Sequence, residues 1–152
     1  MSFSQYINKD SIAILRGKNK IEIIDEVISR AAEISKLDRD LIFRLVWKRE
    51  RMMTTGVGNG LALPHIRVGN LAEPVIVVGV CTEPVTDYQT QDDNPVKVVV
   101  LIIASDADQE AYLQLLGSVS RSMRDPEFVD SLFDNAARPS QVLKLIEEHA
   151  EA

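Results

Sequence analysis

The sequence predicts an α/β protein, a three-layer α/β/α sandwich around a central mixed β-sheet. Three observations carry this. Apolar residues recur at helical spacing in the early and the late parts of the chain, and the middle holds three strand-like apolar runs. One of these, Val96 to Ala104, is nearly all β-branched and apolar without alternation. A strand of that kind is covered on both faces, so its sheet needs helices on both sides.

Taken in order, Ser11 to Leu15 reads as a first strand, closed by Arg16-Gly17. From Asn19, a residue type that caps helix starts, Ile21, Ile24, Ile28 and Ala31 mark one amphipathic helix. Asp38 caps a second helix running to about Glu50. Its residues Leu41, Ile42, Leu45 and Val46 form one apolar face while Phe43 and Trp47 stand on another, which predicts burial on two sides. Lys48, Arg49 and Arg51 at its end complement the helix dipole. Strands are expected over Leu61 to Val68, Val75 to Cys81 and Val96 to Ala104, the first two in hairpin-like pairing about the turn signal Gly69-Asn70. The polar segment Asp87 to Pro95 reads as an exposed loop. A helix from near Asp108 aligns Tyr112, Leu116, Val119 and Met123. Asp125-Pro126-Glu127 starts another, with Phe128, Val129, Leu132 and Phe133 facing inward. Pro139-Ser140 opens a last helix with Leu143, Ile146 and Ala150 on one side.

A chain of 152 residues suits a single domain, 1–152, with a substantial core. Twenty-three acidic against 17 basic residues give a net charge of −6, which argues against nucleic-acid binding and favours a basic protein partner. The single cysteine, Cys81, cannot form an internal disulfide and reads as a buried strand thiol. The N-terminus lacks a signal-peptide core, so the expected compartment is the cytosol. Val98 to Ala104 is far shorter than the roughly 20 residues that cross a bilayer, so no direct membrane insertion is expected.

The densest chemistry lies in Thr55-Gly-Val-Gly-Asn-Gly-Leu-Ala-Leu-Pro-His65-Ile-Arg-Val68. An imidazole with a pKa of about 6.5 is largely neutral near pH 7 and can attack phosphorus. Gly56, Gly58 and Gly60 leave a loop without side-chain bulk, whose amides can approach an anion. Thr55, Asn59 and the amides around Gly58 and Gly60 are candidate oxygen contacts, although turns use the same residue types. No Gly-Lys-Ser/Thr follows, so this is not a nucleotide loop. His149, in Glu147-Glu148-His149, reads as a solvated tail residue, and neither histidine has a partner at zinc-ligand spacing.

Arg49-Glu50 followed by Thr55 to His65 resembles the active-site signature of type 2 enzyme IIA domains, the fructose–mannitol type of the bacterial sugar phosphotransferase system. The likeness extends over essentially the whole chain and is greatest to the stand-alone nitrogen-regulatory branch. It implies a phosphoryl carrier. His65 would accept a phosphoryl group on its ε2 nitrogen from the phosphorylated histidine-containing phosphocarrier protein, with no metal or nucleotide cofactor. Arg49 would lie beside it as a planar, bidentate donor to phosphoryl oxygens. The receiver would be a regulatory target protein or an enzyme IIB. Many members carry a second histidine in the helix after the long apolar strand. Here Tyr112 stands at that place, before Leu113-Gln114-Leu115-Leu116; it can donate a hydrogen bond but does not titrate near neutral pH. That substitution, with no fused transporter domains in the chain, favours regulation over sugar uptake. Two alternatives remain open: a sugar-specific IIA serving a separate permease, and a non-catalytic interaction module like the cytoplasmic domains of some anion transporters. Retention of both His65 and Arg49 argues against the second.

Overall fold

The computed structural model describes residues 3–151 and has the three layers expected. After 3-10 turns at Phe3–Tyr6 and Lys9–Ser11 come β1 (Ile12–Leu15), α1 (Lys20–Ser35) and α2 (Arg39–Met52). Next are β2 (Gly56–Gly58), β3 (Leu61–Ala62), β4 (His65–Val68), β5 (Val75–Val85) and β6 (Val96–Ser105). The chain ends in α3 (Gln109–Ser122), α4 (Pro126–Asp134) and α5 (Pro139–Glu151). Asn19, Asp38, Asp108 and Asp125 cap α1 to α4, each side-chain oxygen accepting a first-turn amide.

The sheet runs β1-β5-β6-β3-β2, with β4 also on β6. β5 and β6 are antiparallel, while β1 on β5 and both β3 and β4 on β6 are parallel. β6 is central because it is apolar on both faces. Val99, Leu101 and Ile103 pack into the layer of α1 and α2, and Val98, Val100 and Ile102 into that of α3, α4 and α5. Cys81 is fully buried in the first of these, and burial pushes its thiol pKa up to about 12. Among the described residues no helix is long and apolar enough to cross a membrane.

Several expectations need correction. Leu61 to Val68 is two strands, interrupted at Leu63-Pro64, although the registers Ala62 to Val99 and His65 to Ile102 show that both halves follow the same edge of β6. β4 and β5 do not form a hairpin. Residues 69–74 carry the chain across β6, which inserts between them, a crossing of about 10 Å at normal strand spacing. α2 is buried on one side: Ile42 and Val46 are enclosed, whereas Phe43 is 40% exposed and Trp47 packs partly against it with ring centroids 6.4 Å apart. Ser11 belongs to the 3-10 turn before β1. The loop after β5 is exposed at most positions but turns Tyr88 and Thr90 inward. His149 is half-buried and stacks on Phe128 of α4 at 3.8 Å between centroids. Val142 and Ile146 form the buried face of α5, with Leu143 at its margin; the side chain of Ala150 lies outside the described residues.

Leu101 is fully enclosed at the centre of β6. Leu101→Ala is expected to cost about 2–5 kcal/mol, read as a lower urea midpoint at unchanged slope.

Candidate active site

His65 opens β4, directly after the interruption at Leu63-Pro64. The Leu63 amide donates to Thr55 O, on the side away from β6, and the Pro64 carbonyl accepts from the Ile102 amide on the β6 side. In a parallel ladder both backbone groups of a residue face one neighbour. The Leu63 carbonyl therefore also faces away from β6, where it meets His65 Nδ1 at 2.7 Å. A carbonyl can only accept, so Nδ1 carries the proton and Nε2 keeps its lone pair. Burial lowers the imidazole's pKa, the bond to Leu63 works against that, and the nearby Arg49 charge adds to the fall; the net position is below the ordinary histidine value. The ring is held as a neutral base with one open nitrogen.

The space beside it is a shallow depression of about 250 Å³ lined by Lys48, Arg49 and Met52 of α2, His65 and Arg67 of β4, and Tyr112 of α3. Three cations and no acid appear in this lining, so the local charge is opposite to the chain's net charge of −6. Arg49 Nη1 donates to Met53 O at 2.8 Å, which fixes the guanidinium at the helix end. The Tyr112 and His65 ring centroids are 6.2 Å apart, and Arg67 Cζ lies 5.1 Å from the Tyr112 centroid. Burial raises the Tyr112 pKa despite the opposing charges of Arg67 and Arg49, so its hydroxyl is a hydrogen-bond donor throughout the physiological range.

A buried network centred on Glu50 and Thr55 adjoins Arg49, and its other members, Lys20 and Tyr88, carry no signal in the sequence. Glu50 is buried at 6% exposure. Its Oε1 accepts from the Thr55 amide at 3.0 Å and Lys20 Nζ at 2.9 Å, and Oε2 from the Thr55 hydroxyl at 2.6 Å. With its proton spent on Glu50, the Thr55 hydroxyl accepts from Tyr88 Oη at 2.5 Å. Lys20 Nζ also sits 4.6 Å from the centre of the Tyr88 ring. Burial would raise the Glu50 pKa, but the bonds from Thr55 and Lys20 outweigh it and hold the carboxyl below its ordinary value.

The glycine-rich segment is a hairpin turn. β2 and β3 are antiparallel around Asn59 and Gly60, whose φ values of 57° and 83° have the sign a type I′ turn requires at both central positions. The Asn59 amide donates to Asp92 Oδ2 at 2.8 Å. Gly58 and Asn59 border a separate hollow of about 160 Å³ with Val57, Leu63 and Arg124. Of the residues singled out from sequence, His65, Arg49 and Tyr112 thus share one depression; Thr55 is buried against Glu50 outside its lining, Gly58 and Asn59 line the separate hollow, and Gly60 completes the hairpin turn. Arg67 was missed although its signal was present, two residues beyond His65 on the same face of a strand. Lys20 and Tyr88 had none.

A profile for the EIIA 2 family of the phosphoenolpyruvate-dependent sugar phosphotransferase system matches residues 5–149. The nitrogen regulatory protein of Bradyrhizobium diazoefficiens is 27% identical over 129 residues, 85% of this chain and 82% of that protein. The PTS system fructose-specific EIIABC component of Bacillus subtilis is 26% identical over 151 residues, 98% of this chain; the chain spans only 24% of that protein. In three dimensions, the nitrogen regulatory protein IIA-Ntr of Neisseria meningitidis is similar at a TM-score of 0.79 and 18% identity, covering 94% of this chain and 97% of that one, a likeness of fold.

Lys20 is the cationic partner of a buried carboxylate. Lys20→Met is expected to cost about 1–3 kcal/mol at neutral pH, less than for a fully buried pair because the Lys20 side chain is 20% exposed. In the wild type, Glu50's lowered pKa contributes stability that is present above its unfolded value of about 4.5 and lost as pH falls through the folded value. Chemical denaturation from pH 7 to pH 4 should therefore show the gap between wild type and Lys20→Met narrowing toward acid.

Proposed function

This chain belongs to the EIIA 2 family of the phosphoenolpyruvate-dependent sugar phosphotransferase system, and from that premise we propose that His65 is its phosphoryl acceptor. The carrying observation is the 2.7 Å contact of Nδ1 with the Leu63 carbonyl, which leaves Nε2 as the nucleophile in a depression lined by cations. A phosphorylated histidine-containing phosphocarrier protein docks over this face. His65 Nε2 attacks the phosphorus in line as the donor's P–N bond breaks, the electron pair leaving with the donor imidazole. The His65 proton remains on Nδ1, where the Leu63 carbonyl stabilises the charge that develops. Arg49 holds phosphoryl oxygens, and Tyr112 can donate a further hydrogen bond; the chemistry is positioning and charge stabilisation. Thr55 acts through Glu50, while Gly58, Asn59 and Gly60 shape the neighbouring surface met by the donor.

The protein works in the cytosol, and the likeness to nitrogen regulatory proteins supports a regulatory role in which a target protein reads the phosphorylation state. The likeness to the fructose-specific component supports a second reading, onward transfer to an enzyme IIB in sugar uptake.

Incubation with phosphoenolpyruvate, enzyme I and the phosphocarrier protein, followed by mass measurement without acid, should add one phosphoryl group to the wild type and none to a folded His65→Ala. Undiminished labelling of His65→Ala would overturn the assignment. Arg49→Lys keeps the charge but loses bidentate geometry, and is expected to slow single-turnover labelling by on the order of 100-fold. Because burial holds the imidazole's pKa below its ordinary value of about 6.5, the fall in rate toward acid should have its midpoint below that pH.

A further inference from the structure

We propose that Arg67 is a second phosphoryl-holding cation of this site, an inference that rests on His65 being the acceptor. Along β4 the side chains alternate: Ile66 and Val68 are buried against the α1 and α2 layer, while His65 and Arg67 share the opposite, half-exposed face. Two residues of strand separate them by about 6.6 Å, the distance at which a side chain can reach a group carried on its neighbour's ring. Both line the depression that holds Arg49 and Tyr112.

The Arg67 guanidinium is held in place. Nη2 donates to the Asp106 carbonyl at 3.0 Å, Nη1 approaches Gln109 Oε1 at 3.4 Å, and the group lies over the Tyr112 ring. These partners are a backbone carbonyl, a neutral amide and an aromatic face. No ion pair found among the described residues includes Arg67, so nothing there neutralises its charge. Its Nε is buried and lacks a hydrogen-bond partner. A fixed guanidinium with no carboxylate partner, in the lining of the same depression as His65, is what an arriving anion would pair with. Arg49 approaches from the helix and Arg67 from the strand, so the phosphoryl group would be held from two sides. Arg67 exchanges no proton and forms no covalent bond; it offsets the negative charge of the transferred group.

Phosphoramidate tests this without a protein partner, since the small donor needs no docking surface. Its P–N bond breaks as the His65 Nε2–P bond forms, and ammonia leaves with the electron pair after taking up a proton. In the full chain, Arg67→Gln is expected to slow labelling of His65 by on the order of 10- to 100-fold, with Arg67→Lys partly restoring it. The phosphorus resonance of phosphorylated His65 should titrate at higher pH in Arg67→Gln than in the wild type, because a removed cation no longer favours the dianion. A purely structural role would not move that titration. In the wild type, the Arg67 Nε–H resonance should shift when His65 is phosphorylated, a measurement that needs no variant. Wild-type labelling at His65 with no shift of Arg67 Nε–H, or with unchanged rate and phosphorus titration in folded Arg67→Gln, overturns the role of Arg67 alone. A wild type that phosphoramidate cannot label at His65 overturns the acceptor reading itself.

Discussion

The direction of one carbonyl governs the His65 face. Pro64 has no amide hydrogen, and the chain on either side of it keeps the same register on β6, three residues advancing against three. Only the pairing pattern is interrupted, and the Leu63 carbonyl turned away from β6 is the group that selects the imidazole's tautomer. A strand pairing on both sides at Leu63 would have spent that oxygen on another backbone amide. The imidazole's orientation is thus a consequence of sheet topology, set two residues before the histidine itself.

Charge is layered around that point. Glu50 is buried with its negative charge matched by Lys20 and by hydrogen bonds, while Lys48, Arg49 and Arg67 stand at the opening. Unit charges about 4 Å apart interact by roughly 4 kcal/mol at an effective dielectric near 20, whereas exposed charges beyond about 8 Å are largely screened at physiological salt. A local cluster of three cations therefore outweighs a distant surplus of acids. The field over this face is set by this neighbourhood, and the chain's overall charge of −6 is a poor guide to it.

The fold and the residues at the centre of the candidate site were largely legible in the sequence, and the side chains that support them were not. β6 announced itself because burial on both faces leaves an unbroken apolar run, and the four capped helix starts because their capping chemistry is local. His65 and Arg49 were legible through the motif that contains them. Tyr88 was not, since it sits in a polar segment and becomes buried only when that loop folds back on β2, with Gly56 bridging to Thr90. Asn59-Gly60 is a hairpin signal inside a segment whose missing side-chain bulk also suits an anion, and the strand pairing with positive φ at both positions decides for the turn. The supposed β4–β5 hairpin failed because a turn signal says nothing about whether another strand will insert between its arms.

β4 has β6 on one flank and, among the described strands, none on the other. An open flank is a template for edge-to-edge pairing with a second sheet, and proteins guard such flanks with proline, charge and short length. β4 has all three: Pro64 before it, Arg67 within it and four residues in all. A phosphoryl group on His65 would add further charge to the same flank. The features that would ready this strand for phosphoryl transfer are the same ones that discourage edge-to-edge pairing, and a phosphorylated form would be the better guarded of the two.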